Sequence, residues 1–327
     1  MEQEYLIGRI SEAAEHAPSE IAFSFTNLDL VLHTQDIHTA EFCQDYFESY
    51  TETVSGSGNQ AEVWHIFEVL GNEEGWVVDK ESRTVHVFLE QPDKRKVMRI
   101  IRSLVMLKDL ESGMTMFKGA AIENQNHHGI VLIGEKRAGK TSLALSFMLE
   151  KKPENMFITN SQVTIGFKEG KLIANGYPMS MGIRLNVLES MKKRGNHNVV
   201  EIIEAIKSTL QPGDENRYYL EPKTLKALFD ERVKNHTELK AIVMLKSTSG
   251  EKGMSFGQLE PNALLDYLKD YHRRFYNHDS SGWYKLFDID VEREISNIEA
   301  IIRTCPVYEL TYSLDHHQEA IELINSL

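Results

Sequence analysis

Residues 134–141 read Gly-Glu-Lys-Arg-Ala-Gly-Lys-Thr, which fits G-x-x-x-x-G-K-[ST] without a gap. An apolar run, Ile130–Ile133, precedes them and a helix-forming run, Ser142–Leu149, follows. No other feature constrains the fold as much, because it demands strand, tight turn and helix in that order. Glycines let the backbone curl so that successive N–H groups point at one anion, and the helix adds its positive dipole end at the same place. At average composition the four fixed positions coincide by accident in about one chain of this length per hundred, and the flanks lower that figure further.

The chemistry such a turn suits is phosphate binding. The candidate binding residues are Gly134, Glu135, Lys136, Arg137, Ala138, Gly139, Lys140, Thr141 and Ser142. Lys140 is expected to reach the terminal phosphates of a nucleoside triphosphate, and the Thr141 hydroxyl to ligate Mg²⁺. Ser142 offers a second hydroxyl in the same turn. Glu135, Lys136 and Arg137 occupy the variable part and face either solvent or nucleotide. ATP and Mg²⁺ are therefore the expected ligands. A P-loop ATPase of the usual kind carries an Asp at the end of a later apolar strand to help hold the metal. Here Leu239–Leu245 runs into Lys246-Ser247-Thr248, and Met156–Thr159 runs into Asn160-Ser161-Gln162; neither ends in an acid.

The 327 residues are 41% apolar and 26% charged, the balance of an ordinary globular chain, with a formal charge of −13. Such an acid excess argues against a general nucleic-acid or anionic-membrane surface and favours partners that carry positive charge. Cys43 and Cys305 form no metal-ligand or CxxC pattern and read as reduced, buried thiols. The first residues, MEQEYLIGRISEAAEH, lack the apolar run of a signal peptide. No stretch approaches the ~18 apolar residues that cross a bilayer. A cytoplasmic location is expected.

The pattern predicts an N-terminal α+β region over 1–112 and a P-loop domain over 113–327. In the first, 21–34 reads as a strand, 37–50 as a helix, 55–59 (SGSGN) as a loop, 61–70 as a strand and 76–90 as a hairpin, followed by a helix from Asp93. Its strands are expected to be antiparallel. In the second, Met114–Asn124 and Gly129–Gly134 read as adjacent strands around a turn containing His127 and His128, too few ligands for a metal. Gln162–Phe167 and Lys171–Ala174 form a hairpin. Helices are expected near 198–209, 222–234, 261–271, 290–304 and 315–327, with strands at 239–245 and 307–312.

From Met116 to Leu185 the order of elements resembles the HPr kinase family and its wider relatives, which share a nucleotide fold with phosphoenolpyruvate carboxykinase. These relatives include stand-alone serine kinases of peptide-modifying pathways. The matching pieces are FKGAAIE before the P-loop strand, the polar quartet Thr159-Asn160-Ser161-Gln162, the hairpin, Gly176-Tyr177-Pro178 and then Arg184. Pro306-Val-Tyr-Glu-Leu and the helix after Asp315 also look like the family's C-terminal end. The resemblance implies an α+β / α/β fold, a mixed-sheet kinase core of HPr-kinase-like type, and transfer of the γ-phosphoryl of ATP to a serine-like hydroxyl. Related kinases are often oligomeric, which makes a homo-oligomer an expectation to test.

Where the family places a histidine and an aspartate, this chain has Lys118 and Ser161. A serine hydroxyl is no general base unaided near neutral pH, and it holds Mg²⁺ less well than a carboxylate. Lys118 either aims its charge at the phosphates or sits solvated at a sheet edge. Asn160 and Ser161 either hold a metal-bound water or shape a turn. Arg184 either clamps an acceptor or phosphate or pairs with a surface acid. Lys118, Lys140, Ser161 and Arg184 are thus the candidate catalytic residues. The leading expectation is phosphotransfer to a hydroxyl on a peptide, protein or small molecule. A nucleotide-binding partner protein without turnover is the alternative, and nucleotidyl transfer a lesser one. The N-terminal region is a candidate for acceptor recognition, since antiparallel sheet edges can take a peptide strand.

Overall fold

Leu28, Leu30 and Leu32 alternate with Asp29 and Val31, and this period of two buries one face of a strand. The computed structural model describes residues 19–51, 63–150, 152–193, 199–209, 217–248, 253–277 and 290–327. Two compact units divide the chain, Met1–Lys108 and Asp109–Leu327. Each has a mixed α+β architecture built on a mixed sheet.

In the first unit the leucine strand is β2 (Leu28–Thr34), and it pairs with β1 (Ser19–Phe25) through a tight turn at Thr26-Asn27. The single strand expected over 21–34 is therefore a hairpin. Helix α1 (Ile37–Phe47) starts at Asp36, whose carboxylate accepts from the N–H groups of His38 and Thr39. The expected loop at 55–59 lies outside the described residues. Strands β3 (Trp64–Leu70), β4 (Gly75–Asp79) and β5 (Thr84–Leu89) follow, and helix α2 (Lys94–Glu111) buries Val97, Ile101, Leu104 and Leu107 completely. The sheet order is β1-β2-β3-β5-β4. Only the outer pairs are antiparallel; β2/β3 and β3/β5 are parallel. This corrects the all-antiparallel expectation. A crossover that includes α1 joins β2 to β3, long enough for a parallel pair, and β4 folds onto the outer side of β5, which leaves β5 beside β3.

The second unit begins inside the last turn of α2, ahead of the boundary read from the sequence. Asp109 is buried there and accepts hydrogen bonds from Thr164 Oγ1 (2.6 Å), Tyr177 OH (2.6 Å) and Asn175 Nδ2 (3.3 Å). The segment 114–124 is two strands, β6 (Thr115–Phe117) and β7 (Ala120–Glu123), because the chain changes neighbours at Lys118-Gly119. Strand β6 pairs with β10 (Val163–Lys168), and β7 lies between β8 (Gly129–Ile133) and β9 (Met156–Thr159). The hairpin β10/β11 (Lys171–Gly176) forms as expected. The first residues of β14 (His236–Ser247) pair with β11, while its later part runs parallel to both β8 and β16 (Val307–Tyr312). Strand β15 (Ser255–Gln258) closes the edge of β16.

Helix α3 (Lys140–Leu149) follows β8. Strand β12 (Met181–Arg184) leads into α4 (Leu185–Lys193) and α5 (Val199–Thr209), and pairs with β13 (Arg217–Leu220) as a separate ribbon. Helix α6 (Pro222–Leu228) is shorter than the 222–234 expected, because Asp230 and Glu231 take left-handed φ values of 52° and 64° and turn the chain. Helices α7 (Pro261–Asn277), α8 (Val291–Thr304) and α9 (His317–Ser326) complete the unit. The central strands bury both faces. Ile130 and Leu132 of β8 pack into one apolar cluster with α3, α4, α5 and α9, while Val131 and Ile133 pack into another with α7 and α8. No helix among the described residues is long and apolar enough to cross a membrane.

Candidate functional site

Three parallel strands, β8, β14 and β16, end on one edge of the second sheet, at Ile133, Ser247 and Tyr312. Crevices outside the carboxyl ends of such strands are the usual ligand sites of open α/β sheets. Residues 134–139 cross this edge. Gly134 has φ 139°, and a Cβ there would lie 2.5 Å from the Leu245 carbonyl oxygen. Gly139 has φ 93°, and a Cβ there would collide with the Tyr312 hydroxyl. Both positions therefore exclude a side chain by conformation and by space. Between them the N–H of Ala138 donates to the Glu135 carbonyl (3.1 Å), and the N–H of Leu143 donates to Gly139 (2.9 Å) as the helix begins.

Gly139 is the N-cap of α3 and, having no side chain, supplies no cap of its own. A helix leaves its first four N–H groups without intrahelical partners, so this end offers donors and a positive dipole end to an anion. Lys140 folds back over the loop and donates from Nζ to the carbonyls of Gly134 (2.6 Å) and Glu135 (2.8 Å). Burial lowers its pKa to about 8, Lys118 adds a repulsion in the same direction, and Glu135 opposes both. The exposed Lys118 is thus close enough to act on Lys140. It borders a small recess with Gly134 and Tyr267 rather than the main cavity.

Thr141 Oγ1 donates to Asn160 Oδ1 (2.9 Å), and Asn160 Nδ2 donates to Ser161 Oγ (3.0 Å). Asn160 is buried, and Ser161 sits at φ 74°, a conformation a non-glycine residue seldom adopts. The structure therefore links the loop helix to the polar quartet through Asn160, with Ser161 one bond further out. Thr141, Asn160 and Ser161 present only uncharged oxygens toward a metal. Mg²⁺ accepts oxygen donors and keeps waters and phosphate oxygens in its shell, so these groups fit it as minor ligands beside a triphosphate. No group of three or more His, Cys, Asp or Glu side chains among the described residues is placed to hold a metal. That includes the turn with His127 and His128, where Asn124 Oδ1 instead accepts from the N–H groups of Asn126 and His128.

A cavity of about 290 Å³ opens beside the loop. Lys136, Arg137, Lys140, Arg184 and Arg217 line it, and among the described residues no carboxylate does. In a chain of net charge −13 this is a local reversal of sign, and a low-dielectric cleft concentrates such a field. Of the residues singled out from the sequence, Ala138, Gly139, Thr141, Ser142 and Arg184 line the cavity together with Lys136, Arg137 and Lys140. Gly134, Glu135, Lys118 and Ser161 do not.

Arg217, Tyr312 and Ser247 also line it and were not identified from the sequence as site residues. Tyr312 carried a findable signal, since it ends an apolar strand just before a helix. Arg217 opens the four-residue strand RYYL and carries none.

No family model matches the chain, nor does any curated protein. Among solved structures it is similar to the HPr(Ser) kinase/phosphatase from Coxiella burnetii, at 10% identity and a TM-score of 0.32, over 65% of this chain and 87% of that one. A likeness this shallow does not assign the chain to a family.

Proposed function

We propose that the second unit binds the phosphates of a nucleoside triphosphate, and that its reaction is phosphoryl transfer from ATP to a hydroxyl acceptor. The observation that carries this reading is the start of α3 at Gly139, set beside a cavity that five cations and, among the described residues, no carboxylate line. In this reading the loop N–H groups and the helix end cradle phosphate oxygens. Lys140 leaves the carbonyls of Gly134 and Glu135 and places its charge on the terminal phosphates. Lys118 adds positive potential on the same side, which favours the departing charge. Thr141 and Asn160 are the groups that would hold Mg²⁺, which when bound neutralises charge on the β- and γ-phosphate oxygens.

Transfer forms a bond from the acceptor oxygen to Pγ and breaks the bond from Pγ to the bridging oxygen, which leaves on ADP with the electron pair. The transition state of such transfers is loose, and the demand on a base is correspondingly small. Among the described residues no carboxylate lines the cavity, and in this reading the acceptor proton passes to a phosphoryl oxygen or to water. The site therefore contributes mainly positioning and charge.

The absence of a carboxylate from the described lining favours a second reading, a nucleotide-binding protein that does not turn over. One assay separates the two. The purified chain, γ-labelled ATP, Mg²⁺ and a panel of hydroxyl acceptors should yield a product heavier by one phosphoryl group, and Lys140→Ala should abolish it. Tight nucleotide binding with no product from any acceptor would leave the second reading standing. A product heavier by a nucleotide would instead identify nucleotidyl transfer.

A further inference from the structure

Strand β13 reads Arg217-Tyr218-Tyr219-Leu220, and its period of two turns alternate side chains to opposite sides of the β12–β13 ribbon. Leu220 and Tyr218 pack with Met181 and Ile183 in the apolar cluster around α3, so that side of the ribbon faces the core. The other side carries Gly182 and Arg184 of β12 opposite Tyr219 and Arg217 of β13. Gly182, Arg184 and Arg217 line the cavity. Tyr219 lies on the same side, two residues or about 7 Å along the strand from Arg217.

The Tyr219 side chain is 47% exposed, unusual for so large a ring in this chain. No described residue stacks on it or bonds its hydroxyl. Its partner across the ladder is Gly182, where a Cβ would lie 2.6 Å from Arg217 Cδ and 3.2 Å from Tyr219 Cε1. The missing side chain therefore lets the ring lie close to bare backbone at the cavity wall, a close approach that a strand glycine permits. The cavity, at about 290 Å³, is at the small end of ligand pockets. A nucleoside triphosphate whose phosphates occupy it carries its base past the rim, where an open aromatic face is available.

We propose that Tyr219 is the platform on which the base of the bound nucleotide stacks, with Gly182 holding the ring at the cavity's rim. This rests on the nucleotide reading above and adds a base subsite to it. Stacking on an aromatic side chain uses the π-face that every base has, so the platform grips the base without reading its edge. A ring opposite a glycine also supports a strand pair, and the test has to separate that role from binding.

The test is calorimetry on the full chain with Mg²⁺, titrated with a non-hydrolysable ATP analogue and separately with tripolyphosphate, which carries the phosphates without a base. The wild type binds the analogue about tenfold or more tighter than tripolyphosphate. Tyr219→Leu keeps apolar bulk over Gly182 but has no π-face. It weakens the analogue about five- to hundredfold and leaves tripolyphosphate within about twofold. Tyr219→Trp keeps the platform and the analogue's affinity, and the added indole emission is quenched by the analogue and not by tripolyphosphate. Circular dichroism confirms that each variant is folded.

Equal analogue affinity in the wild type and Tyr219→Leu overturns the proposal, as does an indole in Tyr219→Trp that the analogue leaves unquenched. A parallel loss of analogue and tripolyphosphate in Tyr219→Leu also overturns it, since the ring would then only support the ribbon. Should tripolyphosphate bind the wild type as tightly as the analogue, the base subsite fails while the phosphate reading stands. Should neither bind, the phosphate reading fails and the subsite with it.

Discussion

Two strand-to-helix junctions in this chain solve the same problem in opposite ways. After β2, Asp36 caps α1 with its own carboxylate, taking the N–H groups of His38 and Thr39 and bonding the Thr39 hydroxyl at 2.8 Å. After β8, Gly139 caps α3 with no side chain, and the residues around it supply positive charge. The first junction satisfies its helix end internally and has nothing to offer a ligand. The second withholds the cap, so its N–H groups need water or an anion. Placing glycine rather than Ser, Thr, Asp or Asn at the N-cap forgoes a capping bond at a cost of about a few tenths of a kcal/mol, a concession that the proposed phosphate site explains. Helix α8 follows the first pattern, with Asp290 accepting from Glu292 and Arg293, while α6 and α9 also start without a side-chain cap; the start of α3 is set apart by its left-handed glycine and the cations beside it.

Under the proposed reading, the largest effect comes from Lys140. Lys140→Ala should weaken nucleotide by about a hundredfold or more, as expected when one member of a partly buried charge pair is removed, with equilibrium titration as the readout. Gly139→Ala should come next, at roughly tenfold, because it places an L-residue in a left-handed conformation and against the Tyr312 hydroxyl. Adding Tyr312→Phe removes the nearest colliding atom and should recover part of that loss. No recovery would mean that conformational strain alone is responsible.

A third effect is pH-dependent. Lys140 titrates near 8, and the phosphates bind its charged form, so affinity should be flat below about pH 7 and fall as pH rises through 8. The same depression means that the folded chain holds fewer protons than the unfolded chain between about pH 8 and the ordinary lysine value. Stability without nucleotide should therefore rise across that window while affinity falls. Lys140→Arg, which stays charged, should flatten the affinity profile. The smallest effect sharpens the contrast from the other side. Asp36→Ala should cost about 1 kcal/mol of stability in denaturant unfolding and leave nucleotide affinity unchanged.

What could be read from the sequence was local. The loop 134–141, the Asp290 cap and the β10/β11 hairpin each lie within a dozen or so contiguous residues whose types dictate their geometry. The parallel pairing of β2 with β3 was hidden because it depends on a distant partner rather than on either strand's own pattern. The early end of α6 was hidden because Asp230 and Glu231 take left-handed conformations that a helical apolar spacing does not reveal. At the site, Lys140 and Thr141 announced themselves through the motif, and Asn160 through its place in the polar quartet. Arg217 did not, since it reaches the cavity lining only when a four-residue strand is laid against Arg184. Lys118 was visible as a position, yet its influence on the Lys140 proton appears only once burial is known.

The most direct test is amide hydrogen exchange followed by mass spectrometry on the full chain, with and without Mg²⁺ and a non-hydrolysable ATP analogue. Slower exchange across the 134–145 loop and α3 start, with no change across 36–42 at the capped start of α1, is the predicted result. No protection at 134–145, or equal protection at both junctions, would contradict the claim that α3 withholds its cap for phosphate.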